Sequence, residues 1–141
     1  METYSKFNRP RGKPENDAVI GIGSNIRPED HIPEALNRLQ RYHQCVSRSD
    51  FVRTSPIGDT EQSDFVNGAV RIHTAMDRHK LESWLKKTEV HLGRVRTDNK
   101  FGPRTIDLDL VVWNGSVVDP DVYDREFLRK TILEVWPDLK I

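Results

Sequence analysis

Cysteine is almost missing from this chain. Cys45 stands alone among 141 residues, which excludes an internal disulfide framework and a cysteine-ligated zinc site; its side chain is expected to act as a small, partly buried hydrophobe. No apolar run is long enough to cross a bilayer. The first sixteen residues, METYSKFNRPRGKPEN, lack the apolar centre of a secretory signal. They are expected to form a flexible tail, leaving 17–141 as a single domain of a cytoplasmic protein. Neither sign of charge is in excess, with 22 basic and 22 acidic residues. No global field therefore favours nucleic acid or an anionic membrane, and neither is expected as a partner. A phosphate-cradling G-x-x-x-x-G-K-[ST] loop is absent, and GIGSN (21–25) lacks the third glycine of a dinucleotide fingerprint. His31, His43, His73, His79 and His91 show no metal-ligand spacing.

What is present reads as alternating short strands and amphipathic helices. AVIGIGSN (18–25) begins as an apolar strand and ends in a Gly-Ser-Asn loop. In EDHIPEALNRLQRY, Ile32, Leu36 and Leu39 share one helical face, with Asp30 as the expected cap and Pro33 near the first turn. Val46 to Thr54 reads as one extended segment ended by Ser55-Pro56, and IGDTEQSD as a loop. Phe65 to His73 alternates as a strand, with Gly68 marking a bulge. From Asp77 a second helix carries Leu81, Trp84, Leu85 and Leu92 on one stripe, a Glu82–Lys86 i,i+4 pair, and Gly93 as its stop. Thr105 to Trp113 is the next strand, turning at Asn114-Gly115, and REFLRKTILEVWPDL is partly helical up to Pro137. The order β-α-β-β-α-β predicts an α+β, ferredoxin-like domain, a mainly antiparallel sheet with helices packed on it.

The charge that cancels globally is segregated locally. GRVRTDNKFGPR (93–104) carries Arg94, Arg96, Lys100 and Arg104 against one acid, Asp98, and Asp107 and Asp109 follow at once. On a strand, residues two apart share a face. Ile106, Leu108 and Leu110 therefore line one side, and Asp107 and Asp109 the other, about 7 Å apart. Two carboxylates so placed repel, and partial burial makes their joint ionisation costly. Solvent, arginine partners or a divalent cation would relieve this, and an acidic strand edge that discourages aggregation is the plain alternative. Magnesium suits a few carboxylate oxygens, completing its shell with water and phosphate. Cations and paired carboxylates within sixteen residues fit a polyphosphate–magnesium site, with arginines gripping non-bridging oxygens.

KFGPRTIDLDLV (100–111) resembles the signature of the 6-hydroxymethyl-7,8-dihydropterin pyrophosphokinase family, and every specified position matches. GRVR (93–96), Gly23-Ser24-Asn25, R-T-S-P-I-G (53–58) and D-F-V-N (64–67) match in order, so that the resemblance spans about residues 18–138. It implies transfer of pyrophosphate from ATP to the hydroxymethyl oxygen of a dihydropterin, with release of AMP. By matching position, Asp107 and Asp109 would hold two Mg2+ ions. Arg94, Arg96, Arg104 and Arg125 would meet phosphate charge, with Glu89 close by and Phe101 on a loop closing over ATP. Phe65 and Phe127 would sandwich the pterin, Asn67 would bond its polar edge, and Thr54, Ser55 and Ile57 would supply backbone hydrogen bonds. Catalysis is expected of Arg94, Arg104, Asp107 and Asp109, in a monomer.

Departures from the pattern lie beyond the signature strand. In VVDPDVYDREFL, Pro120 is followed by Asp121 where a histidine is usual, Arg125-Glu126-Phe127 arrives early, and Thr97 stands where a cation is common. Fewer positive groups around the triphosphate are implied. The alternative function is a catalytically weakened relative that binds pterin or nucleotide as a module. RNA-recognition domains share the element order, but FVNGAVRIH lacks their basic-Gly-aromatic strand.

Overall fold

The computed structural model describes residues 12–56, 58, 61–94, 103 and 105–141. The chain runs β1 (Asn16–Ser24), α1 (Pro28–Tyr42), β2 (Gln44–Arg48), β3 (Val52–Thr54), β4 (Phe65–Thr74), α2 (Arg78–His91), β5 (Asp107–Trp113), β6 (Ser116–Val117), α3 (Asp121–Asp124) and α4 (Glu126–Val135). The strands form one six-stranded sheet in the order β2-β4-β1-β5-β6, with β3 also on β4, and every pairing is antiparallel. The α+β, ferredoxin-like expectation is met.

Alternation divides the sheet into two working faces. Ala18, Ile20, Ile22, Val70, Ile72, Ile106, Leu108 and Leu110 point to one side and pack with Ile32, Ala35 and Leu39 of α1 and Leu81 and Leu85 of α2. Each such leucine or isoleucine contributes about 1.5–3 kcal/mol by leaving water. Val19, Ala69 and Val111 point to the other side, where α3 and α4 supply Val122, Ile132 and Val135. These last two helices cover only part of that face, and the uncovered part becomes the site.

Several local expectations are corrected. Helix α1 starts at Pro28 with Arg27 in the left-handed region at its cap, so Asp30 lies in the first turn and pairs with Arg27 instead of capping. Pro33 falls inside the helix, where its missing N–H forfeits one backbone bond. The segment 46–54 is two strands. Its break is made by Ser49, whose N–H donates to the Ala69 carbonyl while its Oγ accepts from the Ala69 N–H, both at 2.9 Å. Gly68 is not at a bulge in its pairing with Ile22; a Cβ there would lie 2.6 Å from the Phe51 ring, so the glycine makes room for that ring. Bulges fall instead between Val19 and Ile20 and between Cys45 and Ser47. Cys45 is exposed on edge strand β2, not partly buried. The Asn114-Gly115 turn is as expected, with φ of 48° and 87° matching a two-residue hairpin.

Candidate active site

The uncovered face is a trough whose floor is glycine. Gly21 and Gly23 alternate with Ile20 and Ile22 on the central strand β1, so their missing side chains fall on the same face as Asp107 and Asp109. In register, Gly23 lies between Asn67 on β4 and Asp107 on β5, and Gly21 lies beside Asp109. A Cβ on Gly23 would come within 2.7 Å of Asn67 Oδ1. Only glycine lets the Asn67 amide lie over that strand. The resulting open cleft, about 230 Å³, is lined by Thr54, Ser55, Phe65 and Asn67 at one end, Asp107 and Asp109 at the other, and Asp119, Asp121, Arg125 and Phe127 above. Beyond the Gly23-Ser24-Asn25 match, the glycines stand in the sequence only as a weak fragment of a nucleotide fingerprint. Their i,i+2 placement in an apolar strand was the signal of a trough.

At the first end, Asn67 Nδ2 donates to Thr54 Oγ1 at 2.5 Å across the β3–β4 pair. That bond fixes the amide before any ligand arrives. Phe65 and Phe127 are far apart in sequence, on a strand and in the first turn of α4, yet line the same cleft. Gly23 and Ser24, expected in a loop, end β1 instead, and Ser24 and Asn25 brace this end. Ser24 Oγ donates to the Thr105 carbonyl at 2.6 Å, and Asn25 Nδ2 donates to Gln62 Oε1 and the Ser63 carbonyl.

At the other end, α2 delivers charge around the edge of β5. Its C-terminus closes with the Gly93 N–H on the Val90 carbonyl and the Arg94 N–H on the Glu89 carbonyl, with Gly93 at φ +96°. This glycine-dependent closure turns Arg94 back toward its own helix. Arg94 Nη1 donates to Glu89 Oε1 at 2.7 Å and to Asp107 Oδ1 at 2.9 Å. Glu89, only 1% exposed, also accepts from the Leu108 N–H at 2.7 Å through Oε2. Lys86 Nζ donates to the Leu108 carbonyl, to Glu89 Oε2 and to Asp109 Oδ1 at 3.1, 3.1 and 3.2 Å. The expected Glu82–Lys86 pair is therefore replaced: Glu82 meets Arg78 and Lys86 is drawn to the sheet edge.

Carboxylate oxygens of Glu89, Asp107 and Asp109 lie within 4.8 Å of one another. Such hard donors, two of them facing the trough, suit a magnesium-type ion. Desolvation and the adjacent Asp107 carboxylate push the Asp109 carboxyl up to about 7, against the opposing pull of Lys86. Burial alone would lower the Lys86 ammonium, but Asp109, Glu89 and Asp107 outweigh it and hold it above its ordinary value. Arg125 lines the cleft and pairs with Asp121 at 3.4 Å. Lys86, Asp119 and Asp121 were not anticipated as site residues; the first was masked by an apparent helical partner, and the others by a loop read only for what it lacks. Arg96, Phe101, Arg104 and Ile57 lie outside the described residues. No described helix is long and apolar enough to cross a membrane.

Comparison with known proteins agrees with this architecture. A sequence model of the family described as 7,8-dihydro-6-hydroxymethylpterin-pyrophosphokinase (HPPK) matches residues 19–137. The chain is 36% identical over 135 residues to a 2-amino-4-hydroxy-6-hydroxymethyldihydropteridine pyrophosphokinase of Methylorubrum extorquens, covering 88% of this chain and 85% of that one. An identically named protein of Haemophilus influenzae is 30% identical over 133 residues, covering 86% and 82%. A mitochondrial folate synthesis bifunctional protein of Arabidopsis thaliana is 37% identical over 131 residues, covering 89% of this chain but 24% of that longer one. The chain belongs to the 7,8-dihydro-6-hydroxymethylpterin-pyrophosphokinase family and is a pyrophosphokinase of folate biosynthesis.

Proposed function

We propose that the enzyme transfers pyrophosphate from ATP to the hydroxymethyl group of 6-hydroxymethyl-7,8-dihydropterin, releasing AMP, and that the transfer depends on magnesium. The observation that carries this reading is the single trough with a carboxylate end and an amide-and-aromatic end. A flat heteroaromatic ring gains from stacking between Phe65 and Phe127. Its donor–acceptor edge is met by the Asn67 amide, already fixed by Thr54, so little ordering is needed on binding. Ser55 and Ile57 are assigned further hydrogen bonds to the ring.

Asp107 and Asp109 are assigned the metal, with Glu89 behind them as a partner that orients Arg94 and the β5 edge. A bound magnesium would neutralise phosphate charge as it develops on transfer. Arg94, Arg96, Arg104 and Arg125 are assigned to phosphate oxygens and Phe101 to the loop over ATP. A second cleft next to Asp109, lined by Leu85, Leu110 and Val118 and by the charged Glu82, Lys86 and Asp119, is assigned to the nucleoside end of ATP. Phosphoryl-type transfer requires alignment and charge stabilisation from the protein more than covalent chemistry, so no side chain is assigned the part of a covalent nucleophile.

The test is AMP formation in the full chain. AMP should appear only when ATP, the dihydropterin and magnesium are all present. Equal AMP release without the pterin would overturn the acceptor. A second reading, a weakened relative that binds but hardly turns over, is favoured by Asp119 and Asp121, two acids of VVDPDVYDREFL that line the cleft. It would be recognised by intact calorimetric binding of pterin and a non-hydrolysable ATP analogue without AMP formation.

A further inference from the structure

Lys86 sits inside a cage of three oxygens. Its ammonium has three N–H bonds, and each has a partner: the Leu108 carbonyl, Glu89 Oε2 and Asp109 Oδ1. Two of these are carboxylates of the group whose oxygens converge within 4.8 Å. The ammonium thus contacts two of the three carboxylates that a metal would use. Among the described residues, Glu89, Asp107 and Asp109 face two cations, Lys86 and Arg94. A dication arriving alone would turn this small deficit of positive charge into an excess, and any further arginine only adds to the opposition.

The two resident cations differ in freedom to move. Arg94 is 10% exposed and tied to Glu89 by both side chain and backbone. Lys86 is 45% exposed, on a flexible four-carbon stem, at the junction with the second cleft. We propose that Lys86 is a resident countercation of the carboxylate group, which opposes metal binding at Asp109 until a polyphosphate arrives to accept its ammonium. Metal and polyphosphate then enter as a cooperative pair, each relieving the charge imposed by the other. This rests on the metal reading of Asp107 and Asp109.

The test is Mn2+ titration of the full chain, followed by the electron-spin resonance of free Mn2+, with and without a non-hydrolysable ATP analogue. Lys86→Gln keeps a donor for the Leu108 carbonyl and removes the charge. It should bind Mn2+ alone about tenfold tighter than wild type, and the factor by which the analogue strengthens Mn2+ binding should shrink correspondingly. Lys86→Arg should behave as wild type, and Lys86→Met should behave as Lys86→Gln. Unchanged Mn2+ affinity in both neutral variants would overturn the proposal. So would unfolding of both, because the ammonium would then be a strut that cannot leave. Asp109→Asn in the Lys86→Gln background separates the two readings. If that double variant binds Mn2+ like Lys86→Gln, the carboxylate metal site itself fails. If it loses Mn2+ while Lys86→Gln matches wild type, only the countercation role fails.

Discussion

Asp107 and Asp109 share a face of β5 but not an environment. Asp107 is held by the guanidinium of Arg94, whereas Asp109 is 43% exposed and is paired with the tip of Lys86. Replacing either by Asn should lower AMP formation at saturating substrates by at least about a hundredfold, since an anionic oxygen ligand becomes a neutral amide. Folding should respond differently. Asp107→Asn deprives Arg94 of a charged partner and should lower the melting temperature, while Asp109→Asn removes a carboxyl that is costly to ionise and should not. Gly23 makes a second residue-scale prediction. Gly23→Ala would press on Asn67 Oδ1, so calorimetry should find pterin affinity at least about tenfold weaker and affinity for an ATP analogue nearly unchanged. The D-x-D pair was readable in the sequence because a strand has period two. The Lys86 partners were not, because two tertiary oxygens, the Leu108 carbonyl and Asp109, together with Glu89 at i+3, outcompete the carboxylate of Glu82 at i−4.

The element that organises the site is α2 rather than any strand. Its stripe of Leu81 and Leu85 is fully buried, and that burial brings Glu89 against the outer edge of β5. There Glu89 and Lys86 take the Leu108 N–H and carbonyl, standing in for a neighbouring strand. An edge strand otherwise leaves such groups open to unwanted pairing. Glu89→Ala should therefore cost about 3 kcal/mol in urea denaturation, because Arg94 and the Leu108 N–H both lose a buried partner. Glu89→Gln should cost less, since an amide oxygen can still accept one of those bonds. A loss below 1 kcal/mol for the alanine variant would mean that water serves the edge equally well. At this scale the long periodic elements were legible: β4, α2, β5 and the Asn-Gly hairpin follow from alternation, a helical stripe and turn chemistry. The split between β2 and β3 was not, because Ser49 breaks the strand through a contact with Ala69, twenty residues away. Helix α1 begins two residues before its apparent acidic cap because Pro28 suits the first helical position.

Across the whole molecule, a chain of zero formal charge concentrates its charges where two unlike surfaces meet. One sheet face is closed by α1 and α2 and carries most of the core; the other is half closed by α3 and α4 and keeps a trough over β1. Element order made the sheet foreseeable, but the trough depends on which half α4 leaves bare, and that follows from packing of Ile132 and Val135 rather than from any local pattern. The same half-closure sets the pH response of the metal-free protein. Asp109 has an ordinary value of 3.8 and is pushed up to about 7 by desolvation and Asp107. Between those values the folded chain binds more protons than the unfolded one, so the Asp109 contribution favours folding below about pH 4 and is lost as pH rises through about 7. The raised value of Lys86 lies far above this window, so its ammonium stays charged throughout. In thermal melts with chelator, wild type should therefore lose stability relative to Asp109→Asn as pH rises from about 4 to about 7, with the gap constant above that range. Magnesium together with an ATP analogue should narrow the gap above pH 7, because bound ligand stabilises only the form that can hold it. A gap independent of pH would mean that Asp109 binds its proton equally well in the folded and unfolded chains, and the trough would then be wetter than its shape implies.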